Sequence, residues 1–154
     1  MVGPEQPLAL GLVDVLQDIG VKVFGPTEAA AQLESSKAFT KDLCTRYNIP
    51  TAAYGVFTEL KEAKAFLKTM KPPYVLKADG LAAGKGVVLP ETKKEAEKEL
   101  EEFFSGKFGE ASTKVVIEEF MSGQEVSFFA ISDGVTALPL IGAQTKRPQM
   151  DVRP

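Results

Sequence analysis

Histidine is absent from this chain of 154 residues, and cysteine occurs once. Without imidazole there is no Ser-His-Asp triad, no His-ligated zinc and no imidazole acid–base chemistry. A lone Cys44 builds no internal disulfide framework, which points to a cytosolic (cytoplasmic) protein. Its place in a helical pattern marks it as a small core residue. No apolar run approaches the roughly 18 residues of a membrane span. No basic segment precedes an apolar stretch, so no signal peptide and no membrane partner are expected. Net charge is −3, with no basic footprint for nucleic acid. What remains for chemistry is lysine, carboxylate, backbone groups and Mg²⁺, a set that suits phosphate handling. Apolar residues at 44% allow a buried core, and the length fits one domain or one and a half small ones.

The most distinctive stretch is Lys77-Ala78-Asp79-Gly80-Leu81-Ala82-Ala83-Gly84-Lys85-Gly86-Val87, with three glycines and two lysines in eleven residues. Glycine permits positive φ and close approach, and successive N–H groups in such a loop form an anion-binding concavity. Lysine adds a point charge suited to phosphate. A Walker A loop would need its second glycine where Lys85 stands, and a dinucleotide fingerprint would need a following helix rather than Val87-Val88-Leu89. The stretch is therefore a hairpin whose tip touches phosphate. An ordinary flexible hairpin turn is the alternative.

Along the chain, Leu8, Leu12, Val13, Val15, Leu16 and Ile19 predict one amphipathic helix stopped by Gly20. Val21-Lys22-Val23-Phe24 predicts a short strand, and Thr27 an N-cap for a helix over 28–34. Together these make an αβα piece of an open α/β layer without its first strand. Ser35-Ser36-Lys37 opens a helix with Phe39, Leu43, Cys44 and Tyr47 inward. A strand follows over 52–57, then a helix capped by Thr58 with Leu60, Ala63, Phe66 and Leu67 at helical spacing. After the hairpin, Thr92 and Glu95 form a capping-box pattern for a helix burying Ala96, Leu100, Phe103 and Phe104. Strands are predicted over 114–120, 124–132 and 135–141, the last two joined at Asp133-Gly134. This order gives an α+β fold with an antiparallel sheet and its helices on one side.

Further residues could share one ligand with the loop. Lys77 shares a strand face with Val75, where a lysine needs a partner such as phosphate; a solvent-facing lysine is the alternative. Glu118-Glu119-Phe120-Met121-Ser122-Gly123-Gln124-Glu125 ends a strand with groups able to meet an adenine edge and ribose hydroxyls, or is simply a charged strand end. Lys37 opposes the dipole at a helix N-terminus, which makes sense if an anion faces both; otherwise it is exposed and harmless.

These segments, with Val2-Gly3-Pro4-Glu5, Val23-Phe24-Gly25-Pro26 and Ser127-Phe128-Phe129, resemble the phosphoribosylamine–glycine ligase family of the ATP-grasp fold, from residue 2 to about Arg147. The resemblance implies an incomplete ATP-grasp region with its A and B subdomains over 35–144. A C-terminal piece of an α/β domain precedes it over 1–34, and a divergent tail follows over 145–154. It implies MgATP-dependent ligation of glycine to 5-phosphoribosylamine in purine biosynthesis. Lys37 and Lys77 would contact ATP phosphates, and Gly80, Gly84, Lys85 and Gly86 would belong to a loop closing over them. Glu118, Glu119, Phe120 and Met121 would read adenine, largely through backbone groups, and Glu125 would bind ribose. The family pattern departs after Gly142-Ala143-Gln144, and the family's Mg²⁺ ligands have no positions here. The 154 residues are therefore expected to be a fragment, inactive alone. A non-catalytic ATP-binding module or another ATP-grasp carboxylate–amine ligase are the alternatives.

Overall fold

The computed structural model of the chain describes residues 4–81, 86–109 and 113–144. It comprises two compact units, residues 1–120 and 121–154.

The first unit begins with α1 (Glu5–Ala9), α2 (Leu12–Asp18) and α3 (Glu28–Ser35). The expected single first helix is broken in two because Gly11 takes φ of 76°, a left-handed conformation that ends α1 and starts α2. Of the predicted stripe only Val13 is fully buried, while Val15 and Ile19 are exposed. The strand expected over 21–24 does not form: these residues have no ladder partner among the described residues, and a strand alone satisfies none of its backbone groups. Thr27 caps α3 as expected, its Oγ1 accepting from the Ala30 N–H at 3.3 Å. Asp14 adds a second acceptor at that end, for the Glu28 N–H at 2.7 Å.

Next come α4 (Lys37–Arg46), β1 (Tyr54–Phe57), α5 (Leu60–Leu67), β2 (Tyr74–Ala78), β3 (Val87–Val88), α6 (Lys93–Phe104) and β4 (Val115–Glu119). The strands make one antiparallel sheet in the order β1-β4-β2-β3. Register pairs Lys77 with Val116 and Val75 with Glu118. Pleating divides the sheet's faces. Tyr74, Leu76 and Ala78 of β2 and Val115 and Ile117 of β4 pack against Ala63 and Leu67 of α5 and Ala96, Leu100 and Phe103 of α6. These helices are placed by their apolar spacing, and α6 by the complete Thr92–Glu95 capping box. Thr58 does not cap α5; Glu59 holds the N-cap position without a side-chain bond. On α4, Tyr47 is exposed and the buried residue is Lys41.

The second unit holds a hairpin of β5 (Ala130–Ser132) and β6 (Ala137–Pro139). Its turn is built as the sequence suggests: Asp133 Oδ1 accepts from the N–H groups of Val135 at 2.9 Å and Thr136 at 2.7 Å. Those two donors hold the Asp133 carboxyl below its ordinary range. The strands are shorter than expected. Beyond β5 the pairing shifts, with Phe129 accepting from Leu140 while Ser127 bridges Ala143. That leaves one extra residue on the return segment, as in a β-bulge. Val126 and Phe128 are exposed, since a two-stranded hairpin buries neither face by itself.

Candidate functional site

The face of the sheet opposite α5 and α6 carries Val75, Lys77, Val116 and Glu118. Glu118 is buried, and its carboxylate lies between two ammonium groups. Lys77 Nζ is 3.1 Å from Oε1, and Lys41 Nζ is 3.0 Å from Oε2. Lys41 also donates to Thr51 Oγ1 at 2.7 Å and sits over the Tyr54 ring, 5.6 Å from its centroid. Lys77 thus has a carboxylate partner in this structure, and its side chain remains 26% exposed. The sequence reading missed Lys41. Its spacing of one helical turn from Lys37, which places both on one face of α4, is the signal that could have found it.

Lys37 lies at the first position of α4, and the anion at this helix end is Asp79. The Asp79 carboxylate accepts from the Ala38 N–H at 3.0 Å and from the Ser36 hydroxyl at 3.2 Å. Ser36 Oγ in turn accepts from the Phe39 N–H at 3.1 Å, and Lys114 lies 3.5 Å from Asp79. A carboxylate here complements the helix dipole. Lys37 Nζ donates to the Gly80 carbonyl at 3.1 Å. The first residues of the glycine-rich loop are therefore fastened to α4 from both of its opening positions. Gly80 itself takes φ of 106°, which favours glycine. At the far end, Gly86 is buried and its carbonyl accepts from the Ala78 N–H at 2.7 Å. Gly84 and Lys85 lie outside the described residues.

Asp79→Ala is expected to lower unfolding free energy by about 1–3 kcal/mol, since it strips acceptors from part-buried donors. Urea denaturation measures this, and a change indistinguishable from zero would remove Asp79 as the anchor of the loop base.

Burial lowers the Lys37 pKa below the usual lysine range; Asp79, Glu34 and Glu118 oppose the shift and Lys77 adds to it. Between the lowered folded value and the unfolded value of about 10.4, the unfolded chain binds more protons, so the Lys37 contribution to stability improves as pH rises through that window. An anion beside Lys37 would reverse this preference and draw a proton onto the amine.

The neighbouring carboxylates Glu118 and Glu119 part company. Pleating sends Glu119 to the face of Val115 and Ile117. There its Oε1 accepts from the Ala53 N–H at 2.8 Å. Glu119 and Phe120 line a cavity of about 570 Å³ with Ala53, Phe66, Met70 and Lys71. None of Lys37, Lys77 or Glu118 lines it. Met121 and Glu125 belong to the second unit, where both are exposed. The structure thus brings together Lys37, Lys77, Gly80 and Glu118, and sets Glu119 and Phe120 on other ground.

Among the described residues no group of three or more acidic, cysteine or histidine side chains could hold a metal ion. No described helix is long and apolar enough to cross a membrane.

Comparison with known proteins identifies the family. The family profile "Phosphoribosylglycinamide synthetase, ATP-grasp (A) domain" matches residues 35–151, and "Phosphoribosylglycinamide synthetase, N domain" matches residues 1–34. A phosphoribosylamine–glycine ligase of Brucella melitensis is 57% identical over 144 residues, 94% of this chain and 34% of that protein. One from Allochromatium vinosum is 53% identical over 152 residues, 98% of this chain and 36% of that protein. The chain spans about a third of the length of these relatives. The crystal structure of phosphoribosylamine–glycine ligase from Thermotoga maritima superposes with a TM-score of 0.74 at 37% identity, covering 78% of this chain and 31% of that one. D-alanine–D-alanine ligase of Bacillus anthracis, solved with ATP, shares the fold alone, with a TM-score of 0.64 at 19% identity over 96% of this chain and 52% of that one. The α+β fold is that of an ATP-grasp protein, and the chain belongs to the phosphoribosylglycinamide synthetase family.

Proposed function

We propose that this chain is the nucleotide-binding part of an ATP-dependent ligase that joins glycine to 5-phosphoribosylamine. The observation that carries the reading is the convergence of Lys37 and Lys77 beside the base of the glycine-rich loop at Gly80. Two ammonium groups at one loop base suit a polyphosphate. In the complete enzyme a glycine carboxylate oxygen attacks the γ-phosphorus of ATP and ADP departs. The amine of phosphoribosylamine then attacks the glycyl phosphate, and phosphate leaves as the amide forms. Chemistry of this kind depends on positioning and charge neutralisation. Lys37 and Lys77 hold the phosphates beside Gly80, and Phe120, just past the end of the β4 ladder, offers its backbone groups to adenine. Glycine and phosphoribosylamine are the partners of the whole protein, which uses ATP with Mg²⁺.

One observation favours a second reading for the chain by itself, binding without turnover: it spans about a third of the length of the relatives it matches. Calorimetric titration with ATP and a coupled phosphate-release assay with glycine and phosphoribosylamine separate the two. ATP binding without phosphate release is the expected outcome for these 154 residues. Absence of ATP binding would overturn the nucleotide reading.

Lys37 gives the binding a pH signature. Titrated at alkaline pH in buffers of different ionisation enthalpy, ATP binding is expected to take up a fraction of a proton, and affinity is expected to fall as pH rises toward the ordinary lysine value. Lys37→Met should abolish the uptake. Equal uptake in that variant would place the proton elsewhere.

A further inference from the structure

We infer that Lys41 is a positioning residue for Lys77: by keeping Glu118 neutralised, it lets the Lys77 ammonium leave the sheet for an anionic ligand. The inference rests on the ATP-binding reading above and adds a residue which that reading does not contain. The two lysines on Glu118 are held unequally. The Lys41 side chain is 11% exposed and fixed by Glu118, the Thr51 hydroxyl and the Tyr54 ring. The Lys77 side chain is 26% exposed, and Glu118 is its one ion-pair partner among the described residues. The Glu118 side chain is 7% exposed. A carboxylate so buried is costly without a counter-charge. With two ammonium groups on it, one can be withdrawn and the carboxylate stays paired. The one free to move is Lys77, next to the loop base. Without Lys41, Lys77 becomes the sole counter-ion, and every phosphate contact it makes strands Glu118.

The consequence is a specific pattern of rescue. ATP and adenosine are titrated into the 154-residue chain, its Lys41→Met variant and the Lys41→Met/Glu118→Gln double variant. Lys41→Met is expected to reduce the ATP-to-adenosine affinity ratio about tenfold, the size of one charge-assisted contact. The double variant should restore the ratio to near the wild-type value, because no carboxylate then competes for Lys77. A merely structural Lys41 would depress ATP and adenosine alike, and a double variant no better than Lys41→Met would overturn the inference. A second readout needs no nucleotide. Acylation of Lys77 in the unliganded chain, quantified by peptide mass spectrometry, should fall several-fold in Lys41→Met and recover in the double variant. Unchanged labelling in Lys41→Met overturns the inference even where ATP fails to bind, so failure of the nucleotide reading is scored separately. Should circular dichroism show Lys41→Met unfolded, the double variant is compared with wild type. Equal Lys77 labelling is then expected, and a severalfold deficit overturns the inference.

Discussion

Glu118→Ala is expected to lower the unfolding free energy by about 3–5 kcal/mol, the loss typical when one member of a buried ion pair is removed. The residue is buried and holds two ammonium groups at 3.0 and 3.1 Å. Truncation leaves Lys41 charged with, among the described residues, the Thr51 hydroxyl and the Tyr54 ring as its remaining partners. Lys77 can turn outward, so most of the loss belongs to Lys41. Domains of this size are stable by about 5–15 kcal/mol, so the variant would be near the edge of folding at room temperature. Urea denaturation read by circular dichroism gives the value. A loss under about 1 kcal/mol would put the cluster in the class of exposed surface pairs. By contrast, the i,i+4 pair of Arg46 and Asp42, with both side chains more than half exposed, belongs to that class already.

Lys77→Ala should remove ATP binding, whereas Cys44→Ala should leave it intact. A hydrogen bond from a charged donor contributes about 1.5–3 kcal/mol, which corresponds to roughly a 10- to 150-fold loss of affinity. A loss toward the upper end of that range takes weak binding below calorimetric detection. The fold should survive, because Glu118 keeps Lys41 as its partner after Lys77 is gone. Cys44 is a partly buried residue of the same helix as Lys37, which makes its alanine variant a fair control for disturbance of α4. Equal ATP affinity in the two variants, measured by calorimetry, would sink the assignment of Lys77 to phosphate.

Local patterns were the readable part of this chain. The Thr92–Glu95 capping box, the apolar face of α6 and the Asp133 turn each depend on residues within a few positions, and each appears as its spacing implies. The hairpin around the glycine-rich loop was legible too, because apolar runs flank it on both sides. Long-range pairing was not legible. Lys41 sits between Phe39 and Leu43 like any helical lysine, and only the return of the chain at Glu118 explains its burial. Asp79 looked like part of a loop, and its capping of α4 depends on how β2 lies against that helix. The adjacent Glu118 and Glu119 read as one acidic strand end, yet pleating gives them opposite faces and different partners. The strand expected over 21–24 failed for a related reason. Such a segment is able to pair, but no described residue pairs with it.

The strand order has a consequence for how the first unit assembles. β1 and β2 do not pair with each other; both pair with β4, which comes last of the four in sequence. Tyr54 waits for Glu118 and Tyr74 for Glu119, so closure spans long stretches of chain and should be slow compared with formation of α5 and α6. During synthesis, a nascent chain that has not yet reached Val115 would expose an unpaired β1 and a half-paired β2, both open to pairing with other chains. The central strand thus acts as a late keystone, and the lysine–carboxylate cluster comes into being in the same event that closes the sheet.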